Sequence, residues 1–212
     1  MKNPRQFPPH IHIFRLHETI EKNLLESIVE TTKIVACIFL VFFLNLATFD
    51  GLYLHLYKYK LHAWKESRRE HFLHTINAFI FPWTIFFVFL DEFKGLLLWF
   101  GVLLTLISLL VEYFDLFEEN KSRESFGGLT SLEYALHMAM GSLRASYISL
   151  ILVSKPLADW SLSGSSFVES YANAKFNLYF IYPMLMSCLF VGFLHIFLLL
   201  NYRERKLSIN QG

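Results

Sequence analysis

The sequence predicts an all-α fold: a polytopic integral membrane bundle of about five transmembrane helices, preceded by an N-terminal amphipathic interfacial helix. Its 212 residues are 54% hydrophobic, and the mean hydropathy is +0.40. The 23 phenylalanines suit a lipid-facing surface better than a soluble core. Five apolar segments also reach the length of about 20 residues that an α-helix needs to cross a hydrocarbon core of about 30 Å.

The first element is an amphipathic helix within residues 1–31. Apolar residues recur there at helical spacing among charged ones, a pattern typical of a helix that lies at the membrane interface. A polar helix that packs against its own protein would show the same pattern. The apolar positions are Ile13, Leu16, Ile20, Leu24 and Ile28.

The spanning helices follow within residues 32–207, and residues 208–212 form a polar tail. No segment between the spans is polar enough, or rich enough in Gly, Ser or Pro, to mark a second domain, so we expect a single bundle. The predicted spans are residues 33–56, 72–90, 95–117, 129–154 and 176–202.

Charges in the connections predict the orientation of the bundle. The connections after the first and third spans, together with the C-terminal tail, carry ten Lys and Arg residues, more than lie close to the opposite ends of the spans. By the positive-inside tendency, this face and the C-terminus are expected in the cytoplasm.

The net charge is only +1 and the basic residues are scattered, so nucleic acid is not an expected partner. Cys37 and Cys188 lie in separate apolar runs, which suits buried free thiols.

Polar side chains on four of the spans lie at two matching depths. With a helical rise of about 1.5 Å per residue, one set lies about 25–27 Å from the far ends of the spans and a second set about 31–33 Å away, with one residue per helix in each. The far ends are marked by Lys33, Asp91, Lys94 and Lys155. The first layer contains Asp50, His74, Glu112 and His137, and the second contains His55, Glu70, Asp115 and Glu133.

These two layers predict a metal site. Charged groups near the hydrocarbon boundary are costly unless they are paired or liganded, and carboxylates outnumber cations at this depth. Glu70 with His74, and Glu133 with His137, are spaced i, i+4 and therefore share a helix face. Di-iron carboxylate bundles use the same logic, but their Glu-x-x-His spacing is shorter by one residue, so the likeness is physical and not a family match. We expect two metal ions, with iron favoured over zinc or manganese.

The first span carries two candidate ligands that an α-helix would not direct to one side. At about 100° per residue, Asp50 points well away from His55 unless Gly51 bends the helix, so one of the two is expected not to be a ligand. His195 on the last span is expected to be a satisfied core histidine. Alternate ligands, or residues that hydrogen-bond the ligands, are His62, His71 and Asn77. Residues interpreted as solvated helix ends are Glu66, Glu118 and Glu119.

Arg144 predicts a polar pocket beside the metal layers. It follows His137 by seven residues on the same helix face and lies about 16 Å from the far end of its span. With Tyr147, one turn deeper, it is the expected catalytic pair that orients the substrate or relays protons. A salt bridge to Glu112 or Asp50 that tightens the bundle explains Arg144 equally well.

The leading functional hypothesis is a membrane-embedded dinuclear metalloprotein, a di-iron-like oxidoreductase of the hydroxylase, desaturase or oxidase type. Its expected substrate is a lipid or another hydrophobic small molecule, and an electron-donor protein is an expected partner. One alternative is a zinc-dependent intramembrane lipid hydrolase. Others are a metal or proton transporter, a bis-histidine haem protein and, if metal is absent, a purely structural membrane protein.

Overall fold

The computed structural model describes residues 9–124, 127–168 and 176–201, with side chains from residue 17 onward. Five helices in this part of the chain are long and apolar enough to cross a membrane, which confirms the predicted bundle. The side chains of Ile13 and Leu16 and the tail at 208–212 lie outside it. The helices are α1 (Pro9–Thr48, continued by a π-helix over Phe49–Lys58), α2 (Arg68–Phe89), α3 (Gly95–Arg123), α4 (Ser131–Val153) and α5 (Asn177–Leu200).

The N-terminal amphipathic segment is continuous with the first spanning helix. No turn interrupts α1 between its N-terminal part and the span, so the two form one helix of 40 residues before the π-helical part. Ile20, Leu24 and Ile28 are exposed, so the segment does not pack its apolar stripe against the described part of the bundle. The interfacial position of this segment stays a prediction.

The helices pack in two groups whose apolar faces meet in one core. α1 packs against α4, while α2 packs against both α3 and α5. Leu40, Phe43 and Ile85 are among the buried residues between the groups. At Gly101 a Cβ atom would lie 2.7 Å from the Cβ of Phe87, so α3 approaches α2 more closely than any larger residue would permit. This close approach holds the acidic face of α3 beside α2.

An ion cluster joins three helices at the membrane end opposite the predicted metal site. The Nζ atoms of Lys33 and Lys155 lie 2.8 and 3.1 Å from the carboxylate of Asp91, in the α2–α3 turn. Lys155 also donates to the carbonyl oxygen of Leu90 at 2.9 Å. Three of the charges that mark the far ends of the spans are therefore in contact with one another. Depths counted from them along different helices start at the same level of the bundle.

Replacing Asp91 with Asn is expected to lower the free energy of unfolding by about 3–5 kcal/mol at neutral pH, because it leaves the buried Lys155 ammonium without its anion. Burial alone would raise the pKa of Asp91, but Lys155 and Lys33 hold it below the ordinary value of 3.8. The folded pKa thus lies below the unfolded one. This stabilisation is fully present above about pH 4 and is lost as the pH falls through the folded pKa.

Thermal denaturation in detergent at pH 7 and in acid measures this effect. Glu30→Gln, at an exposed position on α1, is the control and is expected to change stability by less than about 0.5 kcal/mol. If Asp91→Asn proved as stable as Glu30→Gln at pH 7, the end cluster would not stabilise the bundle.

Candidate metal centre

A π-helix at the end of α1 brings Asp50 and His55 together. In an α-helix these side chains would point about 140° apart. Over Phe49–Lys58 the helix is π-helical, and its i→i+5 hydrogen bonding places residues five apart on one face. The Oδ2 atom of Asp50 and the Nε2 atom of His55 are consequently 3.5 Å apart, and both residues are buried. The local departure from α-helical geometry therefore removes the conflict between the two side chains that an α-helix would impose.

Two overlapping groups of side chains are arranged so that they could hold a metal ion. In each group one potential ligand atom per residue lies within 4.8 Å of the others. Ligands bonded to one ion at about 2.0–2.2 Å are separated by about 3–3.6 Å, so only small side-chain movements would close either group. His55 belongs to both groups. The first group is Asp50, His55 and His137, and the second is His55, Glu70 and His74.

Helix α3 adds two carboxylates to these groups. The Oδ2 atom of Asp115 lies 3.1 Å from Nε2 of His74. Glu119 spans both groups, since Oε1 is 3.8 Å from Nε2 of His55 and Oε2 is 3.2 Å from Nδ1 of His137. Glu119 is only 2% exposed, so its interpretation as a solvated helix end was wrong. Its spacing from Asp115 along α3 is i, i+4, and this signal of a shared helix face would have identified it.

Arg123 binds the outer side of this carboxylate cluster. Its guanidinium lies 2.8 Å from Oε1 of Glu133, 3.1 Å from Oε2 of Glu70 and 3.6 Å from Oε1 of Glu119. Its side chain is fully buried. Sequence reasoning placed Arg123 in the connection after the third span and missed this role, because α3 continues about two turns beyond the predicted end at 117.

Glu133 has structural partners that differ from those of the other predicted ligands. Besides Arg123, its carboxylate accepts hydrogen bonds from the backbone N–H and the hydroxyl of Thr130, at 2.9 and 2.8 Å. The Thr130 hydroxyl in turn accepts from the backbone N–H of Glu133, which completes a capping box at the start of α4. Glu133 belongs to neither of the two groups and lies behind Arg123. In this arrangement it holds the guanidinium.

A separate polar network surrounds Arg144. One terminal nitrogen contacts Oε2 of Glu112 at 2.5 Å and the other contacts the hydroxyl of Ser108 at 2.5 Å. Ser108 donates a short hydrogen bond to Oδ1 of Asn77. The predicted ligand Glu112 is thus paired with Arg144, as in the bundle-tightening alternative. Tyr147, the other predicted catalytic residue, is 3% exposed and packs in the apolar core.

His62, His71 and His195 lie outside the two groups. Lys60 has a positive φ of 53° and ends the helical path, so His62 sits in the short 3-10 helix Leu61–Ala63 and does not continue the His55 stripe. The rings of His71 and His195 stack with centroids 5.3 Å apart. Neither residue is in the two groups that contain His55.

The two groups and the carboxylates around them contain buried polar atoms without hydrogen bonds and an excess of negative charge among the described residues. Five side-chain N and O atoms of the two groups, and two more on Asp115 and Glu119, have no hydrogen-bond partner among the described residues. Five carboxylates and one guanidinium give a formal charge of −5 + 1 = −4 when the histidines are neutral. Such burial is costly without a cation. The carboxylates are those of Asp50, Glu70, Asp115, Glu119 and Glu133.

Two cavities reach the cluster from different sides. The α3–α4 cleft, about 560 Å³, has exposed residues of both helices at its rim, such as Tyr113 and Gly141, and it is lined by Asp115 and His137. The α1–α5 cavity, about 420 Å³, lies between α1, α2 and α5. Six residues line both cavities, among them His74, Asn77 and Arg144.

These features define a class: an α-helical membrane protein with clustered His, Asp and Glu side chains that could hold metal ions. Comparison of the chain with family models, with curated proteins and with solved structures finds no match.

Proposed function

We propose that the protein is a membrane-embedded enzyme with two metal ions, an oxidoreductase that acts on a lipophilic substrate. The observation that carries the proposal is the buried formal charge of −4, together with seven polar atoms that lack hydrogen bonds within the described residues. A structural ion-pair network would contain compensating cations, and Arg123 is the one Lys or Arg of the described chain that pairs with these carboxylates. Two divalent cations would neutralise the cluster.

Two ions fit the ligand arrangement better than one. Three imidazoles and four carboxylates exceed the coordination of a single ion. The two groups share His55 alone, whose Nε2 atom would bond one ion, and the neighbouring carboxylates would complete the ligands of the other. The carboxylate of Glu119 lies between His55 and His137 and is placed to bridge. Mixed carboxylate and imidazole ligation favours iron, with manganese and zinc as the other candidates.

The α3–α4 cleft is the proposed substrate entrance. Its volume of about 560 Å³ falls within the range of about 300–1,000 Å³ typical of small-molecule sites. It opens between two spanning helices, so a substrate would enter from the bilayer, and Asp115, Glu119 and His137 line its interior. Bound redox metals of this kind supply the activation of oxygen, which is chemistry of the hydroxylase, desaturase or oxidase type. An electron-donor protein would then dock on the membrane face of the bundle that carries the metal centre. The basic residues of this face favour a cytoplasmic position.

One observation favours a second candidate, a zinc-dependent lipid hydrolase. His55, Glu70 and His74 form a His₂Glu set, which is a ligand set of catalytic zinc sites that keep a position open for water. In that case Asp115, 3.1 Å from His74, is the carboxylate available as general base. A zinc-loaded, colourless protein would support this candidate over the oxidoreductase.

Glu119→Gln is expected to reduce bound metal substantially, because it removes a carboxylate from the ligand cluster. We expect at least a 10-fold loss of metal affinity, because the loss of a residue that only orients a ligand already weakens metal binding about 10–100-fold. The measurement is elemental analysis and equilibrium metal titration of protein purified in detergent, and it also identifies the metal.

The neighbouring Glu118→Gln is the matched control. Glu118 pairs with Arg69 and Lys121 away from the cluster, so its loss is expected to leave metal binding unchanged. Substoichiometric metal in the wild-type protein, unaltered by Glu119→Gln, would overturn the proposal.

A further inference from the structure

The α1–α5 cavity combines an apolar wall with a small polar end. Most of its lining is aliphatic or aromatic, including Val41, Leu44 and Phe81. Asn45 and Ser187, at exposed positions on α1 and α5, line the cavity at its outer side, so it opens toward the surroundings of the bundle between these helices. A ligand that enters here would come from the bilayer and would have an apolar chain.

Two buried nitrogen atoms at the polar end lack hydrogen bonds. Arg144 is 2% exposed, and its Nε has no partner among the residues that the structure describes, although its two terminal nitrogens are bonded. His195 is 4% exposed, and its Nδ1 likewise has none within that part of the chain. Both residues line the cavity. The expectation that His195 is a satisfied core histidine was therefore wrong for Nδ1.

The charges at this end select the kind of head group. The Arg144 guanidinium is already neutralised by Glu112 at 2.5 Å, so an anionic head would bring an uncompensated charge into an apolar cavity. The Nε–H group of Arg can only donate a hydrogen bond. An uncharged acceptor, of which a carbonyl oxygen is the commonest in lipids, would satisfy it.

We propose that the α1–α5 cavity binds a membrane lipid with an uncharged carbonyl head, either a quinone or an acyl ester or amide. The carbonyl oxygen accepts from Nε of Arg144, the Nδ1–H group of His195 donates to the same head group, and the chain runs out between α1 and α5. The volume of about 420 Å³ suits one such ligand. The site opens between other helices than the α3–α4 cleft and requires no metal, although the two cavities share six lining residues, His74 among them.

Binding of lipid probes to the purified protein in detergent tests the proposal. The probes are a decyl-substituted benzoquinone, methyl dodecanoate, dodecanoate anion and dodecane, titrated against wild-type protein with and without chelator. One of the two neutral carbonyl probes is expected to bind at least 10-fold more tightly than both dodecanoate and dodecane. Whether the quinone or the ester binds more tightly identifies the natural class.

Three variants locate the bound lipid. Ser187→Trp narrows the α1–α5 cavity and is expected to weaken binding at least 10-fold, whereas Ala145→Trp, the matched change in the α3–α4 cleft, leaves it unchanged. His195→Phe keeps an aromatic ring but removes one hydrogen bond, which is expected to cost about 3–10-fold.

Equal binding of dodecane and the carbonyl probes, or equal effects of the two Trp variants, would overturn this assignment. Retention of binding after chelation is expected. Lipid binding that persists after chelation would support this site even if the metal analysis contradicted the proposed function.

Discussion

Replacing His55 with Ala is expected to remove one metal ion and to weaken the other, whereas His74→Ala and His137→Ala should each affect one ion predominantly. The reason is that His55 alone belongs to both candidate groups, while His74 and His137 belong to one group each. The Nε2 atom of His55 has one lone pair and can bond one ion at a time, so its loss removes a ligand from that ion. The loss also removes a neighbour of the carboxylates around the other ion, which should weaken that ion about 10–100-fold.

Metal stoichiometry measured in parallel on these three variants provides the test. We expect about two ions per chain in the wild type, less than about one in His55→Ala and about one in each of the other variants. His62→Ala is the control, since His62 lies in the 3-10 helix beyond α1 and outside both groups. Full metal content in His55→Ala would show that His55 is not a metal ligand.

Replacing Arg123 with Leu is expected to lower the free energy of unfolding of the metal-free protein by about 3–5 kcal/mol. Its guanidinium contacts Glu70, Glu119 and Glu133, all of them almost fully buried, and these carboxylates would face one another without a cation. The same change removes the hydrogen bond that orients Glu70, so metal affinity should also fall about 10–100-fold.

Arg69→Leu is the matched control for Arg123→Leu. The Arg69 side chain is 75% exposed and lies 3.4 Å from Glu118, a surface pair whose loss should cost about 0–1 kcal/mol. Chelated protein measured by thermal denaturation separates the loss of stability from the loss of metal. Equal stability of the two variants would mean that the carboxylate cluster is held by other interactions, and adding Glu133→Gln to Arg123→Leu should restore part of the loss.

The helical architecture could be predicted because the bilayer imposes a length on each element. All five predicted spans were confirmed, since about 20 apolar residues between charged ends identify a crossing whatever its neighbours are. The ends of the helices were predicted less well. α3 was expected to end at 117 but continues to Arg123, because charged residues can extend a helix beyond the apolar core when their partners lie on adjacent helices.

The candidate site was predicted in part for a related reason. Depth along a spanning helix follows from the sequence, so Asp50, His74 and His137 could be placed at one level. Contacts between helices do not follow from it, and only the structure places Glu119 between His55 and His137. Partners such as Arg123 and Glu133 are separated by a connection whose path the sequence does not specify.

The π-helical end of α1 allows the two parts of this helix to direct their side chains toward different neighbours. In an unbroken α-helix, the residues that pack against α4 would also fix the direction in which His55 points. The wider turn over Phe49–Lys58 changes that phase locally, so Leu40 and Phe43 face the core while Asp50 and His55 both face the carboxylates. Deleting one residue from this segment would restore α-helical phase and separate Asp50 from His55 without altering either side chain.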